Sequence, residues 1–224
     1  MADEYARPVI TELTRALAGV GRDAVRGGLV IGSGGNLSAR LPGQDEFVVT
    51  GAGTWLDRLE DQDFARLRAS AGASDDSRTA AGPAPTTELG LHLAAYRSRP
   101  DVNAVIHLHP QATLLLDALG ESVRLITTDH AFYVRRVGRV PPVRPGTPAV
   151  GQAFAAAIGD GTDCVILSHH GIGVVGPDIP TAWRRVANLE EAARLTYRAL
   201  LLTGGLPGRP IVECPISFAE GDTV

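Results

Sequence analysis

The sequence lacks the features that would tie the protein to a membrane or to nucleic acid. Its 224 residues include 25 Asp and Glu against 21 Lys and Arg, a net charge of −4, so no basic surface is expected. No apolar run approaches the ~18 residues of a membrane span. The acidic start, MADEY, has no apolar signal-peptide core. We therefore expect a cytoplasmic protein with no membrane partner and no nucleic-acid partner.

Cysteine is also scarce. The only two, Cys164 and Cys214, lie far apart in the chain, which fits a reducing compartment and no disulfide. Cys164 lies in an apolar run typical of a buried strand, and we interpret it as a small core residue. None of the candidate ligands described below is a thiolate, so we expect no structural zinc–cysteine site.

Length and hydrophobic content predict a single globular domain. The content of 44% hydrophobic and 21% charged residues is ordinary for such a domain, and the chain is long enough for one sizeable core. We assign one domain to residues 1–224, with its core at about 8–203 and an irregular tail at 204–224. Strands separated by helices predict an α/β fold, and hairpin-like pieces between residues 29 and 50 indicate antiparallel pairing.

Apolar periodicity and glycine or proline breaks predict the order of the elements. Helices are predicted at residues 8–27, 87–99, 111–119, 149–158 and 181–202. Strands are predicted at 29–31, 44–50, 105–110, 125–128 and 164–168. A further strand is predicted between the glycine turn that begins at residue 32 and the strand at 44–50. Residues 56–67 are interpreted as a short helix or turn, 70–85 as a flexible surface loop, and 139–148 as a loop with a short extended piece.

Histidines provide the strongest functional signal. All six lie between His92 and His170. His107 and His109 are two residues apart at the end of an apolar run, so in a strand their side chains point the same way, as two ligands of one metal need. A second apolar run ends in His169 and His170, of which at most one reaches the metal unless the strand has already ended. His92 and His130 are interpreted as core histidines.

Three short segments could each hold an anion, and an acidic residue follows one of them. Gly34–Asn36 and Thr50–Gly53 could aim backbone N–H groups at a phosphate, and Thr86–Thr87 precedes a predicted helix. None is a dinucleotide or P-loop fingerprint, and each is also compatible with an ordinary turn or helix cap. Glu88 could be either a catalytic carboxylate or a favourable first-turn acid.

Several separated motifs together resemble the class II aldolase/adducin family. They are GNLS at 35–38, TG at 50–51, PTTE at 85–88 with His92, AAYRSRPD at 94–101, HLHP at 107–110, HHG at 169–171 and the helix with Glu190. Their order matches the family over about residues 8–203. The resemblance implies a three-layer α/β/α fold with a mostly antiparallel central sheet, usually assembled as a homotetramer with its sites between subunits.

The resemblance also implies roles for individual residues. One Zn²⁺ per chain, or another divalent metal in its place, would be bound by His107, His109 and His170, and Glu88 would be the catalytic acid/base. The phosphate of a sugar-phosphate substrate would be held by six residues. These are Gly35, Asn36, Thr50, Gly51, Thr86 and Thr87.

One departure from the family leaves alternatives open. Its aldolases use a tyrosine from a neighbouring subunit as an acid, and no tyrosine of this chain is cleanly in register. Tyr133, His130 and Asp129 are the candidates for this acid. We expect a zinc-dependent lyase that cleaves a ketose 1-phosphate into dihydroxyacetone phosphate and an aldehyde. The alternatives are a 4-epimerase, decarboxylase or dehydratase on the same metal site, or a non-catalytic adducin-like module.

Overall fold

A seven-stranded sheet forms the centre of this computed structural model, which describes residues 2–70, 82–204, 210–219 and 222. The strand order across the sheet is β3-β2-β1-β4-β7-β6-β5. In chain order the strands are β1 (Asn36–Arg40), β2 (Glu46–Thr50), β3 (Phe64–Arg68), β4 (Ala104–Leu108), β5 (Val137–Val140), β6 (Cys164–Leu167) and β7 (Gly171–Gly176).

The pairing confirms the mostly antiparallel sheet. Every neighbouring pair is antiparallel except β5 and β6, which run parallel at one edge. Strand β4 lies between β1 and β7, with His107 opposite Asn36 on one side and opposite Gly173 on the other. This register brings the first predicted histidine beside two other motifs of the sequence.

Helices cover both faces of the sheet, as the three-layer prediction requires. They are α1 (Ala2–Arg26), α2 (Leu89–Ser98), α3 (Gln111–Ala118), α4 (Thr128–Tyr133), α5 (Pro148–Ile158) and α6 (Ile179–Thr203). One core joins α1, α3 and α6 to Ile106 and its same-face neighbours, while the other joins α2 and α5 to Val105. Because β4 is buried on both faces, its sequence is continuously apolar up to His107. None of the described helices is long and apolar enough to cross a bilayer.

Two of the predicted elements are wrong, and a third, the short helix or turn at 56–67, is right only in part. Residues 29–31 form no strand, because Gly28 and Gly32 turn the backbone with φ of 69° and 65°. Residues 125–128 form no strand either, since Thr127 caps α4. The segment 56–67 contains two short 3₁₀ helices but ends in β3, which completes the sheet edge beside β2.

Two strands differ from expectation in a more limited way. The extended piece expected within 139–148 begins earlier, as β5. Strand β7 is not predicted, because three of its six residues, Gly171, Gly173 and Gly176, are glycines of low strand propensity.

Most of the predicted loop at 70–85 falls in 71–81, outside the described residues. Cys164 is fully buried in β6, as predicted, and burial raises the pKa of its thiol to about 12.

Candidate metal centre and anion pocket

Three imidazoles and one carboxylate meet at the end of the central strands. His107 is in β4, His109 follows it, His170 lies in the turn between β6 and β7, and Glu88 immediately precedes α2. The Nε2 atoms of His107 and His109 are 3.0 Å apart. Glu88 Oε2 lies 3.0 Å from His107 Nε2, and its Oε1 lies 3.1 Å from His170 Nε2. The four candidate ligand atoms all lie within 4.8 Å of one another.

The backbone fixes how His107 faces this cluster. Its Nδ1 lies 2.9 Å from the carbonyl oxygen of Ile172 on β7. A carbonyl can only accept, so Nδ1 carries the proton and the Nε2 lone pair is directed to the cluster. The backbone N–H of His109 donates to Leu29 O at 3.1 Å, which anchors the residue just beyond the end of β4. Both imidazoles are therefore held by strands and their immediate extensions.

Gly171 leaves room for these imidazoles. A Cβ at this position would lie 2.4 Å from Leu108 O and 2.6 Å from His109 Cδ2. No real Cβ tolerates such contacts, so any larger residue would displace the backbone or the imidazole. Steric crowding within this subunit therefore explains why the HHG motif has a glycine at this position.

The cluster carries the protonation states that a metal requires. Burial, together with the electrostatic effects of the neighbouring His107 and His170, outweighs the opposing effect of Glu88 and lowers the pKa of His109 to about 4. Burial alone would raise the pKa of Glu88, but its contacts with His107 and His170 hold it well below its ordinary value. A neutral imidazole and an ionised carboxylate are the forms that bind cations.

The donor set fits a divalent metal. Three nitrogens and one carboxylate are ligands that Zn²⁺ accepts, and at ~2.0–2.1 Å from a tetrahedral ion they would lie roughly 3.3 Å apart. The distances of 3.0 and 3.1 Å are close to that spacing. Glu88 Oε1 is buried in the cluster and lies 3.1 Å from His170 Nε2, but none of the described residues forms a well-aligned hydrogen bond with it. A cation bound between these groups would satisfy that oxygen.

A cavity of about 360 Å³ opens beside the cluster. Of the predicted phosphate-binding residues, five line it. They are Gly35, Asn36, Gly51, Thr86 and Thr87. Thr50 does not line it, because its buried hydroxyl accepts a hydrogen bond of 3.2 Å from Leu37 N–H. The N–H of Gly51 donates to Asp63 O at 2.7 Å, so this amide is not free for an anion.

Asn36 has contacts that the sequence does not reveal. Its Nδ2 donates to Glu88 Oε2 at 3.0 Å, and its Oδ1 lies 2.6 Å from His92 Nε2. The predicted phosphate ligand therefore also touches the predicted base. His92 is fully buried, as a core histidine should be, but it is linked to the site through Asn36.

Tyr133 does not reach the cavity within one subunit. It lies on α4, with its ring 4.9 Å from that of Phe132, and it is absent from the residues that line the cavity. His130 is buried and accepts a hydrogen bond from the backbone of Thr127 at the start of the same helix. This role agrees with the structural interpretation of His130.

Two buried acids outside the predicted site hold its backbone. Asp117 on α3 accepts hydrogen bonds from Ser168 Oγ and from His169 N–H, in the turn that presents His170. Glu190 on α6 accepts from the backbone N–H groups of Ala112 and Thr113, where α3 begins. The helix with Glu190 is one of the motifs that resemble the family, whereas no sequence pattern singles out Asp117.

The comparisons with known proteins agree with this geometry. The family model described as Class II Aldolase and Adducin N-terminal domain matches residues 15–197. The chain belongs to this family. It is an enzyme of the class II aldolase type, and its curated relatives include lyases named for sugar phosphates.

Two such relatives have different activities. An L-fuculose phosphate aldolase of Methanocaldococcus jannaschii is 32% identical over 77% of this chain and 89% of its own length. A 3-oxo-tetronate 4-phosphate decarboxylase of Escherichia coli K12 is 33% identical over 76% of this chain and 79% of its own length. The two identities are too similar to choose between the reactions.

Solved structures show the same fold. YgbL from Klebsiella pneumoniae superposes with a TM-score of 0.76 at 27% identity, covering 90% of this chain and 93% of its own. L-fuculose-1-phosphate aldolase from Thermus thermophilus superposes with a TM-score of 0.74 at 23% identity, covering 89% and 98%. The seven-stranded α/β fold is therefore that of class II aldolases.

Proposed function

We propose that the protein is a zinc-dependent aldolase that cleaves a ketose 1-phosphate, of the L-fuculose 1-phosphate type, into dihydroxyacetone phosphate and an aldehyde. The observation that carries this proposal is the meeting of Glu88 with three imidazoles beside a cavity lined by glycines and threonines. A phosphorylated ketose offers both an anion for the cavity and adjacent oxygens for the metal cluster.

In this proposal each group has a separate task. His107, His109 and His170 hold the metal, one per chain, which when bound supplies Lewis-acid polarisation of the substrate's carbonyl and neighbouring hydroxyl oxygens. Glu88 moves the proton on the carbon of dihydroxyacetone phosphate that forms or loses the bond. A buried carboxylate that also touches the cavity suits a general base in this position.

The phosphate is proposed to bind where α2 begins. Thr86, Thr87, Gly35 and Asn36 border the cavity there, and a helix N-terminus favours an anion. We propose that Thr50 and Gly51 act mainly on the shape of this pocket. The Gly51 amide already donates to Asp63 O, and Thr50 is buried and does not line the cavity.

The composition excludes a different aldolase chemistry for this chain. All 21 of its basic residues are arginines, and it contains no lysine. An aldolase that forms a Schiff base needs a lysine amine as its nucleophile. Carbonyl activation by a metal is the route that remains for these 224 residues.

Decarboxylation of a phosphorylated 3-oxo sugar acid is the second candidate. The observation that favours it is that Tyr133 lies outside the cavity, so one subunit supplies no tyrosine acid to the site from the residues that the structure describes. Loss of carbon dioxide leaves a carbanion that a metal can stabilise, and it needs no acid for an aldehyde oxygen. The similarity to the E. coli decarboxylase is as high as that to the aldolase.

We also propose a homotetramer with sites shared between subunits, in which Tyr133 of one subunit serves the cavity of another. The support is the family resemblance together with the position of Tyr133 outside its own cavity. Light scattering tests this part. A monomer of 23.5 kDa at micromolar concentration would contradict it.

Exchange of the dihydroxyacetone phosphate proton with deuterated solvent tests the proposed chemistry. This half-reaction needs the metal and the base but no tyrosine acid. Wild type should exchange, and Glu88→Gln should exchange roughly 10²–10⁴-fold more slowly with its metal retained. Glu12→Gln, which neutralises an exposed acid on α1, is the matched control.

The outcomes separate the candidates. A metal-loaded wild type that does not exchange dihydroxyacetone phosphate but releases carbon dioxide from 3-oxo-tetronate 4-phosphate would replace the aldolase by the decarboxylase. Exchange by Glu88→Gln at the wild-type rate would remove Glu88 as the base.

A further inference from the structure

A continuous line of buried hydrogen bonds leads away from Glu88 into the protein. Asn36 Nδ2 lies 3.0 Å from Glu88 Oε2, and Asn36 Oδ1 lies 2.6 Å from His92 Nε2. His92 Nδ1 lies 2.6 Å from Ser38 Oγ, which lies 2.7 Å from the Tyr96 hydroxyl. We call these four residues, Asn36, His92, Ser38 and Tyr96, the buried relay. None of them belongs to the cluster of candidate metal ligands.

The chemistry of the partners fixes the direction of every bond. An ionised Glu88 only accepts, so Asn36 turns its N–H₂ group to it and its Oδ1 to His92. His92 must therefore carry its proton on Nε2 and accept at Nδ1. The single Ser38 proton goes to that nitrogen, and Tyr96 consequently donates to Ser38.

The surroundings keep this arrangement neutral and in one place. All four residues are buried, with exposed fractions of 4% for Asn36, 3% for Tyr96 and 0% for Ser38 and His92. Asn36 and Ser38 lie on β1, whereas His92 and Tyr96 lie on α2, so two rigid elements hold the ends of each bond. The guanidinium of Arg40 lies over the Tyr96 ring, 4.8 Å from its centroid.

We propose that the buried relay is a positioning device that sets the orientation of the Glu88 carboxylate for proton transfer. The inference rests on the proposed role of Glu88 as the base. A base must be held within a few tenths of an ångström of its proton to act efficiently. Asn36 alone could rotate its amide, but the fixed tautomer of His92 prevents this.

Removal of the Ser38 hydroxyl exposes how the relay works. In Ser38→Ala the Nδ1 of His92 loses its donor, and the imidazole is free to move its proton from Nε2 to Nδ1. Asn36 would then turn its N–H₂ group to His92 and its oxygen to Glu88. An oxygen facing an ionised carboxylate repels it, so the base loses its position without any change at the three candidate histidine ligands.

The kinetic test uses the metal-loaded full chain. In Ser38→Ala, kcat for exchange of the dihydroxyacetone phosphate proton should fall by about 10–100-fold, the usual effect of losing an orienting partner. Tyr96→Phe keeps the Ser38 proton on His92 Nδ1 and should lower kcat less. KM and metal content should stay close to wild type. Thr196→Val is the matched control, because it removes a buried hydroxyl on α6 outside the relay. A purely structural role would lower stability in all three variants and leave kcat per folded, metal-loaded chain unchanged.

A spectroscopic measurement tests the relay independently of activity. Nitrogen-15 NMR of the metal-loaded protein should show His92 as the neutral Nε2–H tautomer, with its resonances shifted in both Ser38→Ala and Glu88→Gln. An Nδ1–H tautomer in wild type, or an unchanged kcat in folded Ser38→Ala, would overturn the proposal. If wild type shows the expected tautomer but exchanges no proton, the proposed function fails and the relay loses its catalytic meaning with it.

Discussion

The carboxylate of Asp117 accepts a hydrogen bond of 2.9 Å from the backbone N–H of His169, one residue before the candidate ligand His170. The same carboxylate accepts from Ser168 Oγ at 3.0 Å, so it holds two residues of this turn. His169 has φ of 59°, a left-handed conformation that a non-glycine residue adopts only when its surroundings enforce it. Asp117 supplies that restraint from α3.

The first prediction concerns Asp117. Asp117→Ala should lower metal affinity by about 10–100-fold, because the turn that presents His170 loses the two hydrogen bonds that join it to α3. Asp117→Asn keeps an oxygen for the His169 N–H and should retain most of the affinity. Competition with a chromophoric chelator measures both variants. Equal metal affinity in wild type and folded Asp117→Ala would show that the turn holds itself.

The second prediction concerns the ligands themselves. His107→Ala and His109→Ala should each lose bound metal in elemental analysis, because three imidazoles together hold the ion. His169→Asn is the matched control, since it removes an exposed neighbouring imidazole and asparagine tolerates the left-handed conformation. It should keep about one metal per chain. Full retention of metal in His109→Ala would contradict the ligand assignment.

The local sequence is sufficient to predict those contacts that depend on the periodicity of a strand. His107 and His109 meet because strand residues alternate faces, and this holds although β4 ends at Leu108. The choice within the His169–His170 pair stays open from the sequence, and the structure explains it. Strand β6 ends at Leu167, so both histidines lie in a turn and only His170 joins the cluster.

Contacts between residues that are far apart in the chain cannot be predicted from local sequence patterns. Asn36 and Glu88 are 52 residues apart, as are Asp117 and His169, and no periodicity relates them. The glycine-rich β7 escapes prediction for a related reason. Its glycines are required by what packs against them, and a Cβ at Gly173 would lie 2.5 Å from the Phe154 ring. Such requirements arise only once the sheet and helices are assembled.

The third prediction uses the close contact at Gly171. Gly171→Ala should displace His109, because the new Cβ would overlap Leu108 O and His109 Cδ2. We expect weaker metal binding and a loss of about 1–3 kcal/mol in the free energy of unfolding. Gly19→Ala is the control. It adds the same methyl group to α1, where its nearest neighbour would be 3.9 Å away, and should stabilise the helix by about 0.5–1 kcal/mol.

Metal titration and urea unfolding of the two glycine variants check this together. If Gly171→Ala bound metal as tightly as wild type, the backbone of β7 would have to yield more readily than its position between β4 and β6 indicates.

The fourth prediction concerns the pH dependence of stability. Burial, with a smaller electrostatic effect of His107 in the same direction, lowers the pKa of His92 from 6.5 to about 3. As pH falls below 6.5, the unfolded chain binds a proton at this imidazole that the folded chain does not bind. The free energy of unfolding therefore decreases with falling pH, by up to about 1.4 kcal/mol per pH unit from this group. Above 6.5 both states are neutral and His92 adds no slope.

His92→Gln removes this titration while it keeps a side chain that can hydrogen-bond. We expect the variant to be less stable than wild type at neutral pH and to have a shallower dependence of stability on pH below 6.5. His109, whose pKa is lowered to about 4, keeps its own contribution in both proteins. Urea unfolding of metal-free protein between about pH 5 and 8 measures the two slopes without interference from metal release. Parallel slopes for wild type and His92→Gln would mean that His92 takes up its proton in the folded state as readily as in the unfolded chain. Its complete burial on α2, against β1, should prevent this.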